Sequence, residues 1–259
     1  MPDFLDILAR DAKETIESGY YEGTPQTVES HISLKDAILK CTRAPVITEI
    51  KAASPSKGTI RISFEAGKIA QAMERGGAVG ISVLTEPKNF KGSLKSLVET
   101  RRAVKLPVLM KDIVISSKQL EAASKAGANA VLLIQALFDR GYCECVVEEM
   151  IAKAHSENLE VLLETHSEEE FRFAIQSGAD LVGINNRNLG TLKVDLNVTK
   201  NILKNSETKG KIVVSESGIE SPADISFLRE CGANAFLVGS AVMLADDVER
   251  KVRELVTTF

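Results

Sequence analysis

The sequence predicts an α/β fold, a (β/α)8 TIM barrel with an N-terminal helical extension, and three observations support this prediction. The segments ERGGAVGISV, SKAGANAVLL, IQSGADLVGI and RECGANAFLV share one pattern, in which a helical stretch passes through a glycine into a short apolar run. Their aligned glycines, Gly77, Gly127, Gly178 and Gly232, are 50, 51 and 54 residues apart. Four further apolar runs lie between them, and a chain of 259 residues is long enough for eight strand–helix units.

Each predicted strand is a short apolar run followed by a stretch with apolar residues at three- and four-residue spacing. A glycine just past a helix commonly adopts the left-handed cap conformation, so the aligned glycines are expected to end helices. The other four strands are PVITEIKAA from Pro45, PVLMKDIVI from Pro107, EVLLETH from Glu160 and KIVVSESGI from Lys211. Helices are predicted for FEAGKIAQAMERG, SSKQLEAASKAG, SEEEFRFAIQSG and SPADISFLREC.

The alternation of strands and helices favours right-handed crossovers and a parallel sheet. A closed barrel is the preferred arrangement, and an open doubly wound sheet is the alternative. The alternative is disfavoured because no G-x-G-x-x-G follows the first strand. We expect one domain, 1–259, in which residues 1–44 form the extension and residues 45–259 form the barrel.

The extension begins with FLDILARDAKETI, in which Phe4, Leu5, Leu8, Ala12 and Ile16 share one face of a helix. This face is expected to pack on the barrel. It would either cover the bottom of the barrel or flank the mouth of an active site, and the sequence leaves both positions open.

Composition excludes several classes of protein. The chain carries 32 Lys and Arg against 36 Asp and Glu, without the basic surplus of a nucleic-acid-binding surface. No apolar run reaches the ~18 residues of a membrane span, and the acidic N-terminus is unlike a signal peptide. Apart from the C-x-C pair of Cys143 and Cys145, the cysteines and histidines show no metal-ligand spacing. We therefore expect a cytoplasmic protein with reduced thiols, no metal, and no nucleic-acid or membrane partner.

Polar and charged residues follow the apolar runs at most of the predicted strand ends. These ends meet at one mouth of a barrel, and residues two apart on a strand face the same way, so the side chains are expected to converge. They are Glu49, Lys51, Lys111, Glu164, Asn185, Arg187 and Glu216. Buried charges of both signs are costly unless they are paired or used in function. A catalytic cup is therefore favoured over a set of ordinary polar strand ends.

A phosphate site is predicted at the last two strands. Many barrels bind phosphate at the loops after strands seven and eight, where this chain has Ser217, Gly218, Gly239 and Ser240. Glycine lets backbone N–H groups approach an anion closely, and Lys51 or Arg187 could add positive charge.

Seven segments of the chain resemble indole-3-glycerol phosphate synthase, a family of the tryptophan pathway, in the order in which that family carries them. The first-strand motif of the family, E-I-K-x-x-S-P-S-x-G, matches most specifically together with the I-N-N-R-N-L segment. The matching segments are TEIKAASPSKG (48–58), LTEPKNFKGSL (84–94), MKDIVI (110–115), LLETH (162–166), GINNRNL (183–189), VSESGI (214–219) and LVGSAVM (237–243).

The resemblance implies a cofactor-free enzyme that converts 1-(o-carboxyphenylamino)-1-deoxyribulose 5-phosphate to indole-3-glycerol phosphate, CO2 and water. It implies Lys111 as general acid, Glu164 as general base and Glu49 as their support. The implied substrate contacts are Lys51 to the carboxylate and phosphate, Asn185 and Glu216 to other polar groups, and Ser54 and Phe90 in nearby loops. The implied phosphate site is Arg187, Ser217, Gly218, Gly239 and Ser240. The expected partner is the phosphorylated substrate. A monomer or weak homo-oligomer is expected, and contacts with other pathway enzymes stay open.

One departure from the family motif lies next to the implied acid. The family usually reads R-K-D-F where this chain has Met110, Lys111, Asp112 and Ile113. Isoleucine keeps the apolar character but cannot stack on an aromatic ring, which puts substrate affinity in question.

Two other functions stay open on the residues alone. The first is a Schiff-base aldolase with Lys51 or Lys111 as nucleophile, and the second is a non-catalytic phosphosugar-binding barrel.

Three further residues are expected to have no direct role. His166 is expected on the surface or behind the site. Arg101 and Arg102 are expected on an exposed helix face.

Overall fold

Within residues 3–25, 32–54, 58–61 and 64–257, which the computed structural model describes, eight parallel strands close into a barrel. Each strand pairs with its neighbours along the chain, and the last strand closes the ring by pairing with the first, with Thr48 opposite Val238. The strands are β1 (Val46–Ile50), β2 (Gly80–Leu84), β3 (Val108–Lys111), β4 (Ala130–Ile134), β5 (Glu160–Thr165), β6 (Leu181–Asn185), β7 (Ile212–Glu216) and β8 (Ala235–Val238). The predicted (β/α)8 fold is confirmed.

Helices alternate with the strands, and several begin where a serine caps the first turn, as the sequence predicts. The Ser116 and Ser221 side chains form full capping boxes. The helices are α1 (Phe4–Glu17), α2 (Leu34–Lys40), α3 (Ala66–Gly76), α4 (Leu94–Ala103), α5 (Ser117–Ala126), α6 (Gln135–Asp139), α7 (Val147–Ser156), α8 (Glu168–Ala174), α9 (Asn197–Asn205), α10 (Pro222–Glu230), α11 (Ser240–Met243) and α12 (Val248–Val256). No helix in the described ranges is long and apolar enough to cross a membrane.

The aligned glycines do not all end helices in the same way. Gly77 and Gly127 are left-handed caps, with φ of 99° and 82°. Gly232 is also left-handed, with φ of 106°, and follows the cap residue of α10. Gly178 is different, because α8 ends at Ala174 and further turns separate it from the glycine.

Two apolar layers result from the period of two along the strands. Even in the short β3, Leu109 packs inside the barrel while Met110 packs outward against helices. The inner layer contains Ile47, Leu109, Leu132, Leu162, Leu181, Val214 and Leu237. Residues two or four positions further along a strand face the same interior, nearer the mouth. Alternation therefore directs the polar residues at the strand ends into the barrel.

The extension packs on both ends of the barrel. At the bottom, the backbone N–H of Leu34 in α2 donates to Glu160 Oε2 at 2.7 Å, and Glu160 is the first residue of β5. At the mouth, α1 is tied to the loop after β2, since Asn89 Nδ2 donates to Asp11 Oδ2 at 3.1 Å. Of the two positions that the sequence leaves open for α1, the structure shows the one that flanks the mouth, while α2 covers the bottom.

Arg101 is not on an exposed helix face, and that expectation is wrong. Its side chain is 8% exposed and donates to the carbonyl oxygen of Leu106 at 2.8 Å and to Asn129 Oδ1 at 3.0 Å. Asn129 Oδ1 also accepts from the N–H of Val108 at 3.0 Å, so the guanidinium links α4 to the start of β3. The neighbouring Arg102 is exposed, as expected.

Replacing Arg101 should therefore destabilise the barrel, while the same change next to it should not. We expect Arg101→Lys to lower the free energy of unfolding by about 1–3 kcal/mol, because lysine leaves buried carbonyl oxygens without donors. Arg102→Lys is the matched control and should change it by less than about 0.5 kcal/mol. Urea denaturation followed by circular dichroism measures both. Equal losses in the two variants would contradict the structural role of Arg101.

Candidate active site

A cavity of about 420 Å³ opens at the carboxyl ends of the strands. Charged and polar residues at the strand ends line part of it, and many of its apolar lining residues belong to α1, β4 and the loops after β2 and β3. The predicted site residues that line the cavity are Glu49, Lys51, Phe90, Lys111, Glu164, Asn185, Arg187, Ser217, Gly218, Gly239 and Ser240. Alternation along the strands and the common strand direction bring them together, as the sequence predicts.

Lys111, at the end of β3, is the centre of the charged side. Its ammonium lies 2.6 Å from Glu216 Oε2 on β7 and 3.4 Å from Glu164 Oε2 on β5. Both carboxylates are buried. Burial lowers the pKa of Lys111, but the facing carboxylates of Glu216, Glu164 and Glu49 outweigh it and raise the pKa well above its ordinary range. Lys111 is therefore a protonated ammonium at neutral pH.

The two carboxylates beside Lys111 differ in protonation. Burial raises the pKa of Glu164, but Lys111 and His166 outweigh burial and hold it well below the ordinary value. Burial and the nearby Glu164 raise the pKa of Glu216 to about 8, against the opposing effect of Lys111. Like charges that share a buried site separate in this way, because the second ionisation is resisted by the first. Glu164 is thus the ionised member of the pair.

Glu216 does not line the cavity, unlike the other predicted site residues with described side chains. It lies beneath Lys111 with none of its side chain exposed. Gly183 on β6 makes room for it, because a Cβ at Gly183 would collide with Glu216 Oε1. In this structure Glu216 contacts Lys111, so its expected substrate contact stays a prediction.

Glu49 and Lys51 form a second ion pair at the end of β1, with Lys51 Nζ 2.7 Å from Glu49 Oε1. Burial raises the pKa of Glu49, but Lys51 and Lys111 outweigh it, and the net pKa lies below the ordinary value. Both lysines thus lie close enough to Glu49 to hold it as an anion.

Two glycine turns form the end of the cavity at β7 and β8. Ser217 and Gly218 both have left-handed backbones, with φ of 68° and 83°. A Cβ at Gly218 would collide with Val194, and one at Gly239 would lie 2.7 Å from Lys51 Nζ. The left-handed backbone favours glycine at position 218, and the lysine ammonium reaches the turn after β8 at Gly239. That an anion binds at these turns stays a prediction.

Most of the apolar residues that line the cavity are not predicted from the sequence. Phe90 and Ile113 line it as expected, with Ile113 5% exposed. The additional apolar lining residues are Phe4, Leu8, Leu84, Leu132, Ile134, Leu189, Leu192, Val194, Ile219 and Leu237. Leu132 and Ile134 could have been found, because they are two and four residues beyond Ala130 on one face of β4. The contribution of Phe4 and Leu8 could not, because nothing in their helix says which end of the barrel it reaches.

The loop that carries Phe90 is fixed from within and from α1. The Glu86 carboxylate accepts hydrogen bonds from the N–H groups of Lys88, Asn89 and Phe90, at 2.9, 2.7 and 2.9 Å. Lys88 Nζ also lies 2.6 Å from Glu14 Oε2 on α1. Phe90 is thereby held over the cavity.

Two remaining predictions concern Ser54 and metal binding. Ser54 lies in a two-residue strand that pairs Ala53 with Thr59, and its side chain is outside the described structure. In the described ranges, no group of three or more His, Cys, Asp or Glu side chains is arranged to hold a metal ion. Cys143 and Cys145 lie between α6 and α7 rather than within a helix.

Comparison with known proteins identifies the family. The sequence matches the profile of the family described as indole-3-glycerol phosphate synthase over residues 8–255. The chain belongs to the indole-3-glycerol phosphate synthase family. It is 43% identical over 229 residues to an indole-3-glycerol phosphate synthase of Methanocaldococcus jannaschii, covering 87% of this chain and 83% of that protein. It is 45% identical over 210 residues to one of Neisseria gonorrhoeae, covering 81% and 78%. The family consists of carboxy-lyases of tryptophan biosynthesis that act on a phosphorylated small molecule.

Solved structures with similar backbones support the fold. A thiamine phosphate pyrophosphorylase from Pyrococcus furiosus superimposes with a TM-score of 0.59 at 20% identity, covering 86% of this chain and 96% of that one. An N-acetylmannosamine-6-phosphate 2-epimerase from Clostridium perfringens gives a TM-score of 0.61 at 18% identity, covering 83% and 93%. At these identities the likeness concerns the barrel alone.

An inorganic anion should bind at the glycine turns. We expect phosphate or sulfate between Gly218 and Gly239, near Arg187 and Ser240, because backbone N–H groups and cationic side chains meet there. Amide chemical shifts in an NMR titration with phosphate should change most at these turns. An anion that perturbs only the opposite end of the barrel would contradict this placement.

Proposed function

We propose that this chain catalyses the reaction of its family, the conversion of 1-(o-carboxyphenylamino)-1-deoxyribulose 5-phosphate to indole-3-glycerol phosphate, CO2 and water. The observation that carries the proposal is a protonated Lys111 beside an ionised Glu164, between an anion site and an apolar wall. One cavity thus offers an acid, a base and separate places for the two ends of this substrate.

The substrate would be anchored at both ends. Its phosphate fits the turns at Ser217–Gly218 and Gly239–Ser240, with Arg187 and Lys51 as cationic neighbours. Its aromatic ring fits the apolar lining that includes Phe90, Ile113 and Leu132. Holding both ends brings the ring carbon and the ketone carbon together, which removes much of the entropic cost of ring closure.

Lys111 serves the first chemical step. The ring carbon that bears the carboxylate attacks the ketone carbon, and the ketone oxygen becomes an alkoxide. That alkoxide is basic enough to take a proton from the Lys111 ammonium, even though the neighbouring carboxylates raise the pKa of Lys111. Loss of CO2 then returns the bonding electrons to the ring, so no cofactor is needed as an electron sink.

Glu164 serves the dehydration that follows. A hydroxyl leaves with a proton supplied by an acid, and a base removes a proton so that the indole double bond forms. Glu164 is an ionised, buried carboxylate 3.4 Å from Lys111 Nζ, so acid and base face the same part of the cavity. Glu49 supports both lysines electrostatically, and Asn185 on β6 can hydrogen-bond the polar groups of the substrate.

The two other functions receive less support. An aldolase of the Schiff-base type needs a neutral lysine amine, whereas the ionised Glu164 and Glu49 favour a protonated Lys111. Borohydride reduction in the presence of substrate would trap an imine on Lys51 or Lys111 if that chemistry occurred. A non-catalytic barrel would have no need of the acid and the base that this chain retains.

We further propose that the chain is one domain, 1–259, that works in the cytoplasm as a monomer or weak homo-oligomer. The four cysteines are free thiols, which is typical of a reducing compartment. Contacts with other enzymes of the pathway are included in the proposal only as transient ones.

The direct test is the assay of the reaction. Purified protein mixed with the carboxyphenylamino-deoxyribulose phosphate should generate indole fluorescence. Folded protein that forms no indole product would refute the proposed function.

Removal of the proposed acid should abolish most turnover. We expect Lys111→Met to lower kcat by at least ~10²-fold, because the alkoxide then has no positioned proton donor. Glu164→Gln should lower kcat comparably, because the dehydration then has no base. Lys118→Met is the matched control, since Lys118 on α5 is exposed and pairs only with Glu22 at 3.2 Å among described partners. Thermal unfolding of each variant checks that the fold persists. A Lys111→Met enzyme that retains more than about a tenth of kcat would contradict the assignment.

Ile113 gives a test of where the aromatic ring lies. We expect Ile113→Phe to strengthen binding of indole-3-glycerol phosphate by up to ~1 kcal/mol, because a phenyl ring can stack on the indole. Overpacking would instead weaken binding and lower the unfolding temperature, with a strain of ~1–3 kcal/mol. Calorimetric titration of both proteins distinguishes the outcomes. Unchanged affinity and unchanged unfolding temperature would mean that residue 113 does not face the ring.

A further inference from the structure

The two oxygens of the Glu164 carboxylate have different cationic neighbours. Oε2 faces Lys111 Nζ at 3.4 Å, across the floor of the cavity. Oε1 faces the imidazole of His166, with Nε2 at 3.3 Å. His166 follows the last residue of β5, so one strand end provides both the carboxylate and a partner behind it.

His166 lies between two carboxylates. Its Nδ1 is 3.7 Å from Glu170 Oε2, in the first turn of α8. The same Glu170 oxygen accepts a hydrogen bond from the backbone N–H of His166 at 2.8 Å, which holds the two residues together. In the described part of the chain, Glu164 and Glu170 are the charged groups within ion-pair distance of the ring.

The imidazole is well shielded, since its side chain is only 14% exposed. Both ring nitrogens are buried, and neither makes a hydrogen bond of regular geometry to a described group. A neutral imidazole buried without hydrogen-bond partners for its N–H and its bare nitrogen would destabilise the fold. An imidazolium is instead stabilised by the charges of both carboxylates. Burial lowers the pKa of His166, but Glu164 and Glu170 outweigh it and raise the pKa to about 9. At neutral pH the ring is therefore a cation behind the proposed base.

We propose that His166 is a positioning residue for catalysis: it fixes Oε1 of Glu164 from behind and leaves Oε2 directed toward Lys111 and the cavity. Glu170 fixes His166 in turn. The inference deepens the proposed function and rests on it, since it concerns the base of that reaction.

The geometry explains why a second cation is useful here. If Lys111 were the only cation beside Glu164, both carboxylate oxygens could pair with its ammonium. Neither oxygen would then be held in position to remove a proton from the substrate. With His166 on the other side, one oxygen is already paired, and the carboxylate keeps its orientation when Lys111 gives up its proton.

The first experiment measures the ion pair directly, without substrate. The chain has three histidines, so the imidazole resonances of His166 can be assigned by comparison with His166→Asn. We expect His166 to titrate near pH 9 in the wild type. In Glu164→Gln its pKa should fall by about 1–3 units, the effect of losing an opposite charge at this distance. Because linkage is reciprocal, that fall equals the amount by which the imidazolium lowers the pKa of Glu164.

The second experiment asks whether His166 acts through Glu164. We expect His166→Asn to lower kcat by about tenfold or more, because the Glu164 carboxylate loses the partner that fixes its orientation, with KM nearly unchanged. In the Glu164→Gln background the same substitution should have almost no further effect, because its target is gone. His155→Asn is the control, since exposed His155 pairs with Asp180 at 2.9 Å on the outside of the barrel. A merely structural role would lower stability and would multiply the losses in the double variant.

The outcomes separate this proposal from the proposed function. If His166 titrates near its ordinary value of about 6.5 and does not respond to Glu164→Gln, the positioning role is wrong. The role is also wrong if the two substitutions lower kcat independently. If the wild-type enzyme forms no indole product, the proposed function and the catalytic role built on it are both wrong. The NMR titration would then still show whether His166 and Glu164 form an ion pair.

Discussion

The ammonium of Lys111, partly buried at the mouth of the barrel, is the constraint on which the rest of the site depends. A cation inside a barrel is costly unless acidic side chains surround it, and the ionised Glu164 and the carboxyl group of Glu216 do so at 3.4 and 2.6 Å. Their presence imposes further conditions on neighbouring strands. Gly183 must lack a side chain so that Glu216 fits beneath the ammonium, and Glu164 requires its own support from His166. The chemistry of one residue thus determines the residue types on β5, β6 and β7.

The apolar half of the cavity depends on the extension rather than on the barrel alone. Phe4 and Leu8 of α1 line the same cavity as Ile113, which follows β3, and Leu132 of β4. The extension is also anchored near the acid, because the Tyr21 hydroxyl donates to Asp112 Oδ2 at 3.0 Å, next to Lys111. The charged side chains of the cavity lie at the strand ends, whereas α1 provides part of its apolar surface. The substrate proposed here has one charged end and one aromatic end, so it needs both.

Local patterns were sufficient for the fold because its rules are local. Alternation of strands and helices, a period of two within strands and serine caps before helices depend on neighbouring residues, and all three are visible in the sequence. The same rules predict that Glu49, Lys111 and Glu164 share the interior, since each lies two residues beyond an inward apolar residue. Local patterns fail to predict features that depend on contacts between distant parts of the chain. The helix before Gly178 ends at Ala174, and no local sequence pattern predicts that end.

By itself, then, the sequence determined the barrel, the inward direction of the polar strand ends and the family, because each follows from order and spacing along one chain. Only the tertiary structure decided which of those polar groups meet. It placed Glu216 beneath Lys111 and away from the cavity, set His166 between two carboxylates, and buried Arg101 against the start of β3. It also brought α1 to the mouth and α2 to the bottom. These outcomes depend on distances between segments far apart in the chain, and a pattern of residue types carries no information about such distances.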